Sequence, residues 1–293
     1  MDINTLRQLM AQRDSISILE TVDVHTGIRF VLKEFDYVIE APNWTQDGNY
    51  LVYNSQGHMY TYALATGEIK EIDTDFAIDC NNDHILSPDN AQLAVSHFTN
   101  EDATSRIYIL PIRGGSPVLV TENGPSYLHG WSPDGQRLAY CAERGGQYDI
   151  YSISVNGGPE TQLTDMPGLD DGPEYAPDGN TIWFNSTRTG LMQVWRMDVD
   201  GSNPVHVVNE DANCWFPHVS PNGEWVVYIT YDKNDVRPGE HPANKHVALR
   251  LVPAEGGESK PIATLFGGQG TINVNSWSPD NRTIAFVSYR LKQ

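Results

Sequence analysis

Short runs rich in β-branched and aromatic residues recur along the chain, each opened by a tight turn and closed by a polar break. They are Tyr50–Asn54, Gln92–Ser96, Arg137–Cys141, Thr181–Asn185, Glu224–Thr230 and Thr283–Ser288. The turn before each has one form: Trp44-Thr-Gln-Asp47-Gly48, Leu86-Ser-Pro-Asp89-Asn90, Trp131-Ser-Pro-Asp134-Gly135, Tyr175-Ala-Pro-Asp178-Gly179, Val219-Ser-Pro-Asn222-Gly223 and Trp277-Ser-Pro-Asp280-Asn281. The Asp or Asn positions are spaced by 42, 45, 44, 44 and 58 residues. That period predicts four-stranded propeller blades, the fifth carrying extra residues.

The residues of each unit agree with this. Proline presets φ for a tight turn, and Asp-Gly or Asp-Asn supplies the positive φ that a hairpin needs. A second strand follows in five units, as in Gln147–Val155 and Met192–Val199, and ends in a Gly turn; a more polar strand such as Glu160–Thr164 then forms the rim. The sixth unit stops after two strands, and the missing pair stands at the other end, as Ser17–Val22 and Ile28–Lys33. The N-terminal strands are therefore expected to complete the C-terminal blade and remove the open edges. The predicted fold is all-β, one six-bladed β-propeller domain spanning residues 1–293; a sandwich or an open solenoid is the alternative. Outside the blades, Ile3, Leu6, Leu9 and Met10 fall on one helical face, which predicts a short amphipathic helix within Met1–Asp14, as a lid or a partner-binding arm.

Units such as Gly130-Trp-Ser-Pro-Asp-Gly-Gln-Arg-Leu-Ala-Tyr140, with Met192-Gln-Val-Trp-Arg-Met-Asp-Val-Asp-Gly201 as a second hairpin, resemble the repeats of the TolB propeller family. The resemblance covers Leu19 to Gln293. It implies the propeller fold and, from TolB itself, a periplasmic protein that binds a lipoprotein and carries an extra N-terminal α/β domain; no such domain is expected here. Related propellers precede the hydrolase domain of prolyl oligopeptidases, but no Gly-x-Ser-x-Gly elbow is present to imply that activity. A propeller supports many functions, so function must be argued from a site.

Composition narrows the classes. Lys plus Arg number 19 against 38 Asp plus Glu, a net charge of −19, which repels phosphate backbones and anionic lipids. Neither nucleic acid nor a membrane is an expected partner. Three cysteines, Cys80, Cys141 and Cys214, cannot build a disulfide framework. No apolar run of signal-peptide type stands in the first thirty residues, so a cytoplasmic location is expected.

In a propeller the innermost strand descends to the Ser-Pro-Asp-Gly turn, so residues four to seven positions before each turn Asp lie at the upper mouth of the channel. The mouth segments are Glu40–Asn43, Asn82–Ile85, Tyr127–Gly130, Asp171–Glu174, Trp215–His218 and Asn273–Ser276. His84, His129 and His218 with Glu174 are candidate ligands for one divalent metal ion, because imidazoles and carboxylates on rigid strands suit such an ion. A water-filled channel in which these groups bind nothing, and a site for a ligand without metal, stay open beside it. Glu40, Asp83, Asp171, Gln269 and Asn273 are candidate ligand contacts. Arg144 and Arg188 are candidates for gripping a carboxylate or phosphate, unless neighbouring acids hold them. Trp215 either stacks on a sugar ring or packs under the long loop Tyr231–Lys245. That loop reads as an ordered lid from which His241 or His246 reaches the mouth, although an exposed position is expected for each. The expected function is a TolB-like binding propeller that holds a small polar ligand or a protein partner at the mouth. The alternative is a metal-dependent lyase or isomerase for an acidic carbohydrate; oligomeric state is not legible.

Overall fold

A computed structural model describes residues 15–292, and the helix expected within residues 1–14 lies outside them. The chain opens with β1 (Ser15–Asp23) and β2 (Arg29–Phe35). The first blade is β3 (Glu40–Trp44), β4 (Tyr50–Ser55), β5 (His58–Ala63) and β6 (Ile69–Ile72). The second is β7 (Cys80–Leu86), β8 (Gln92–Phe98), β9 (Ser105–Pro111) and β10 (Val118–Leu119). The third is β11 (Ser126–Trp131), β12 (Arg137–Arg144), β13 (Gln147–Ser154) and β14 (Thr161–Gln162). The fourth is β15 (Asp170–Tyr175), β16 (Thr181–Ser186), β17 (Gln193–Asp198) and β18 (Val205–Val208). The fifth is β19 (Ala212–Val219), β20 (Trp225–Asp232), β21 (Lys245–Pro253) and β22 (Lys260–Gly267), and β23 (Thr283–Leu291) belongs to the sixth. Each of the first five is an antiparallel sheet whose strands follow sequence order.

The ring closes as the sequence predicts. β1 pairs antiparallel with β23, from Ser15 opposite Leu291 to Asp23 opposite Thr283, and β2 lies outside β1. The innermost position of this sixth blade departs from a regular strand: Trp277 bridges Ile284, and Ala285 N donates to the Ser276 carbonyl at 2.9 Å. Asn273, Asn275 and Ser276 each bond nearby backbone instead: Asn273 Oδ1 accepts from Gly270 N, Asn275 Oδ1 from Trp277 N, and Ser276 Oγ donates to the Val274 carbonyl at 2.9 Å. The apolar layers lie between blades. Leu51 and Tyr53 of the first blade pack with Leu19 and Val287 of the sixth, which removes their surface from water and locks the closure.

The repeated turn has a clear chemical basis. In the third unit Ser132 Oγ donates to Asp134 Oδ1 at 2.6 Å and accepts from Arg137 N at 2.8 Å, while Asp134 Oδ1 also accepts from Gln136 N. Ser87–Asp89 and Ser278–Asp280 repeat the pattern. Two side chains thus satisfy the turn amides and fix the register of the strand that follows.

Candidate functional site

At the opposite end of each inner strand the ladder breaks. Register shifts fall between Glu40 and Asn43, Cys80 and His84, Leu128 and Gly130, Asp171 and Glu174, and Trp215 and His218. Ala41, Gly172 and Phe216 occupy the same place in three of these bulges with φ of 55°, 63° and 53°. Positive φ costs energy at Ala and Phe, and bulges of this kind re-aim side chains. Here five inner strands bulge at the level of the mouth.

The result is an open cavity of about 1310 Å³ at the mouth. Six of the candidate ligand and metal contacts line it: Glu40, Asp83, His129, Asp171, Gln269 and Asn273. Amides tie its floor together. Gln269 Nε2 donates to Asn82 Oδ1 at 3.2 Å, Asn273 Nδ2 to Gln269 Oε1 at 3.3 Å, and Asn54 Nδ2 to Glu40 Oε2 at 3.2 Å. Aromatic rings of Phe98, Tyr127, Tyr148 and Phe216 form other parts of the wall.

Its charges are coupled. His129 Nε2 lies 3.2 Å from Asp171 Oδ1. Burial works against charging His129, yet the Asp83 and Asp171 carboxylates hold its pKa up to about 9. Burial equally opposes Asp171, but the His129 partner keeps that carboxyl below its usual range. Asp83 has Asn81 as its amide donor, and burial pushes it up to about 6 against the pull of His129. Burial pushes Glu40 up to about 7. Near neutral pH the mouth therefore holds one imidazolium against two carboxylates and a third, Glu40, that is only partly ionised.

The other expected residues lie elsewhere. His84 is fully buried beside the Ala41 and Val52 carbonyls, and burial lowers its pKa to about 4. Glu174 and His218 sit nearer the turns: His218 Nδ1 is 2.6 Å from Glu174 Oε2, and His218 Nε2 is 2.5 Å from the Ile272 carbonyl. Both His218 nitrogens thus face protein oxygens. Among the described residues no three His, Cys, Asp or Glu side chains are grouped to hold a metal ion. The set His84, His129, Glu174 and His218 is not brought together, so these residues do not fit the metal expected of them.

Arg144 forms a two-point pair with Glu160, Nε to Oε1 at 2.8 Å and Nη2 to Oε2 at 2.9 Å. Arg188 Nη2 is 2.7 Å from Asp170 Oδ2, with its guanidinium over Trp195. Neither arginine lines the cavity. Trp215 is wholly buried, with His241 against its ring at 4.3 Å, so it has no free face for a sugar.

His241 reverses the expectation of an exposed position. It lines the cavity, meets Phe216 edge-on at 5.2 Å and hydrogen-bonds Gln269 through Nδ1. His246 is exposed against Phe266. The loop that delivers His241 is anchored by Asn213 Nδ2 to the Val236 carbonyl at 2.8 Å and by Lys245 to Asp235 at 2.7 Å. Tyr148 and Phe98 were missed by sequence reasoning; only the Gly145-Gly146 hairpin hinted that Tyr148 is carried to the rim.

A ring of six blades with a wide polar mouth and a lid on the fifth blade defines a scaffold for holding something at one end of its channel. Comparison places that scaffold. A family profile described as the TolB beta propeller domain matches residues 84–263. The chain belongs to the TolB β-propeller family. A solved structure of a putative TolB from Agrobacterium tumefaciens superimposes with a TM-score of 0.90 at 45% identity, covering 94% of this chain and 99% of that one. The Tol-Pal system protein TolB of Francisella tularensis is 30% identical over 86% of this chain; the chain spans 57% of that relative's length. An oligogalacturonate lyase solved with manganese shares the fold alone, with a TM-score of 0.57 at 17% identity over 87% of this chain and 75% of that one.

Proposed function

We propose that this chain is a binding propeller whose upper mouth holds a small polar molecule or a segment of a protein partner. One observation carries the reading: five inner strands bulge at the level of an open polar cavity, and buried Asp83 and half-buried Glu40 are held together in its wall. Burying a carboxylate costs stability unless a partner compensates, so the arrangement makes sense as a receptor waiting for one. The family supports the same reading, since the relative from Francisella is named as a protein of the Tol-Pal system.

The test narrows the mouth without touching the core. Gln147 stands half-exposed at the rim, and Gln147→Trp fills part of the cavity. Native mass spectrometry of untagged protein from its own cells should show a bound molecule or partner on the wild type that the Trp variant loses. The same adduct on both proteins would place the binding site elsewhere.

A further inference from the structure

Resting on the binding reading above, we infer that the group entering the mouth is a protonated amine or a guanidinium. Asp83 is 6% exposed and lines the cavity. One of its carboxylate oxygens accepts from Asn81 Nδ2 at 2.7 Å; among the described residues nothing donates to the other. Asp171 gives Oδ1 to both His129 and Gly172 N, and the Cys141 thiol stands within hydrogen-bonding reach of the same carboxyl. Asp83 thus presents an unused oxygen to a space that the Asp171 carboxylate also lines.

The cations already there are spent. His129 is matched to Asp171, and the Arg237 guanidinium at the lid is paired with Glu240. Aromatic rings line the same cavity beside the carboxylates: Tyr127 and Tyr148 stand 6.5 Å apart, tilted by 34°. A carboxylate pair with aromatic faces matches a compact organic cation, which gains charge-assisted hydrogen bonds on one side and a ring quadrupole on the other. An anion would meet more carboxylates than the single His129 imidazolium compensates, and a neutral polyol would leave the Asp83 oxygen short of a strong donor. The charge of −19 draws cations toward the mouth from a distance.

The experiment titrates the full chain with butylammonium, with the peptides acetyl-Gly-Lys-Gly-amide and acetyl-Gly-Arg-Gly-amide, with the acetyl-lysine version of the first, and with glutarate, following Tyr and backbone NMR shifts. The amines or guanidine should bind with shifts at Tyr127 and Tyr148, and the acetylated peptide and glutarate should bind at least roughly tenfold more weakly. Asp83→Asn should weaken the cation by roughly tenfold. Tyr148→Leu, which keeps every charge, should weaken it by a smaller factor, and Glu122→Gln on the exposed surface should leave it unchanged. Equal affinity for butylammonium and the Lys peptide assigns the cation to a small molecule; a clear advantage for the peptides assigns it to a protein side chain. Glutarate or the acetylated peptide binding at the mouth as well as the amines overturns the inference while leaving the binding reading intact. Cation shifts that persist unchanged in Asp83→Asn also overturn it.

Discussion

The His218 imidazole and the Glu174 carboxylate meet at 2.6 Å across the boundary between the fifth and fourth blades. The same pair extends to the sixth: His218 Nε2 faces the Ile272 carbonyl, and Glu174 Oε1 accepts from Asn275 Nδ2 and from Val219 N, both at 2.8 Å. Every polar atom of the pair has a partner, so it acts as a clasp between three blades rather than as a site.

Removing one side of such a clasp leaves the other buried without compensation, at a cost of about 3–5 kcal/mol. His218→Ala is therefore expected to lower the urea midpoint strongly, and Glu174→Gln more mildly because an amide still bonds Asn275. A double-mutant cycle should show strong coupling; additive effects would mean that the contact is incidental.

Asp83 works the other way. Its folded pKa of about 6 stands above the ordinary 3.8, so its burial costs nothing below the lower value. The cost grows from pH 3.8 to about 6 and is fully present above that. Asp83→Asn is expected to stabilise the protein at pH 8, by at most about 3 kcal/mol and less to the extent that cavity water screens the charge, and to change little at pH 4. Thermal melts at both pH values decide this; destabilisation at pH 8 would show that the carboxylate is structural.

The same protonations govern binding. Asp83 and Glu40 gain charge as pH rises from 5 to 7.5, while Asp171 stays ionised and His129 charged, and burial holds His241 below the usual imidazole range. Affinity for a cation should rise across that interval and then level off. Calorimetry in buffers of different ionisation enthalpy should register proton release at pH 6.5, and a flat pH profile would contradict the charge assignment.

The lid depends on one glycine. Gly268 has φ of +118°, and a Cβ there would stand 2.1 Å from the Pro242 carbonyl. Gly268→Ala should lift residues 238–244, uncover Trp215 and shift tryptophan emission to the red, with a lower melting temperature because alanine is strained at that φ. An unchanged spectrum would mean that the loop does not seal Trp215.

Much of the fold was legible because its signals are local. Ser132 and Asp134 write their hydrogen bonds into adjacent positions, and the spacing of such turns counts the blades. Ring closure followed from two unpaired strands at the N-terminus. The mouth was legible by position, which is why Glu40, Asp83, His129, Asp171, Gln269 and Asn273 line one cavity. Side-chain commitment was not legible. Arg144 and Glu160 lie 16 residues apart in sequence, and His218 reaches Ile272 across 54, so no spacing rule shows them paired. The bulges were hidden too: Ala41 and Phe216 adopt positive φ without a glycine to signal it. His241 reached the cavity because Trp215 and Phe216 offered it an aromatic seat, a contact made only after folding.

We propose the upper mouth as the place where this propeller holds its partner or ligand. The most direct measurement places a photo-reactive benzoylphenylalanine at Tyr148 on the mouth and, separately, at Gln136 in the turn on the opposite face, and irradiates each in its own cells. A discrete adduct is expected from the Tyr148 position only, competed away by the wild-type chain and lost when Asp83→Asn is added. Adducts of equal yield from both faces, or from Gln136 alone, would contradict it.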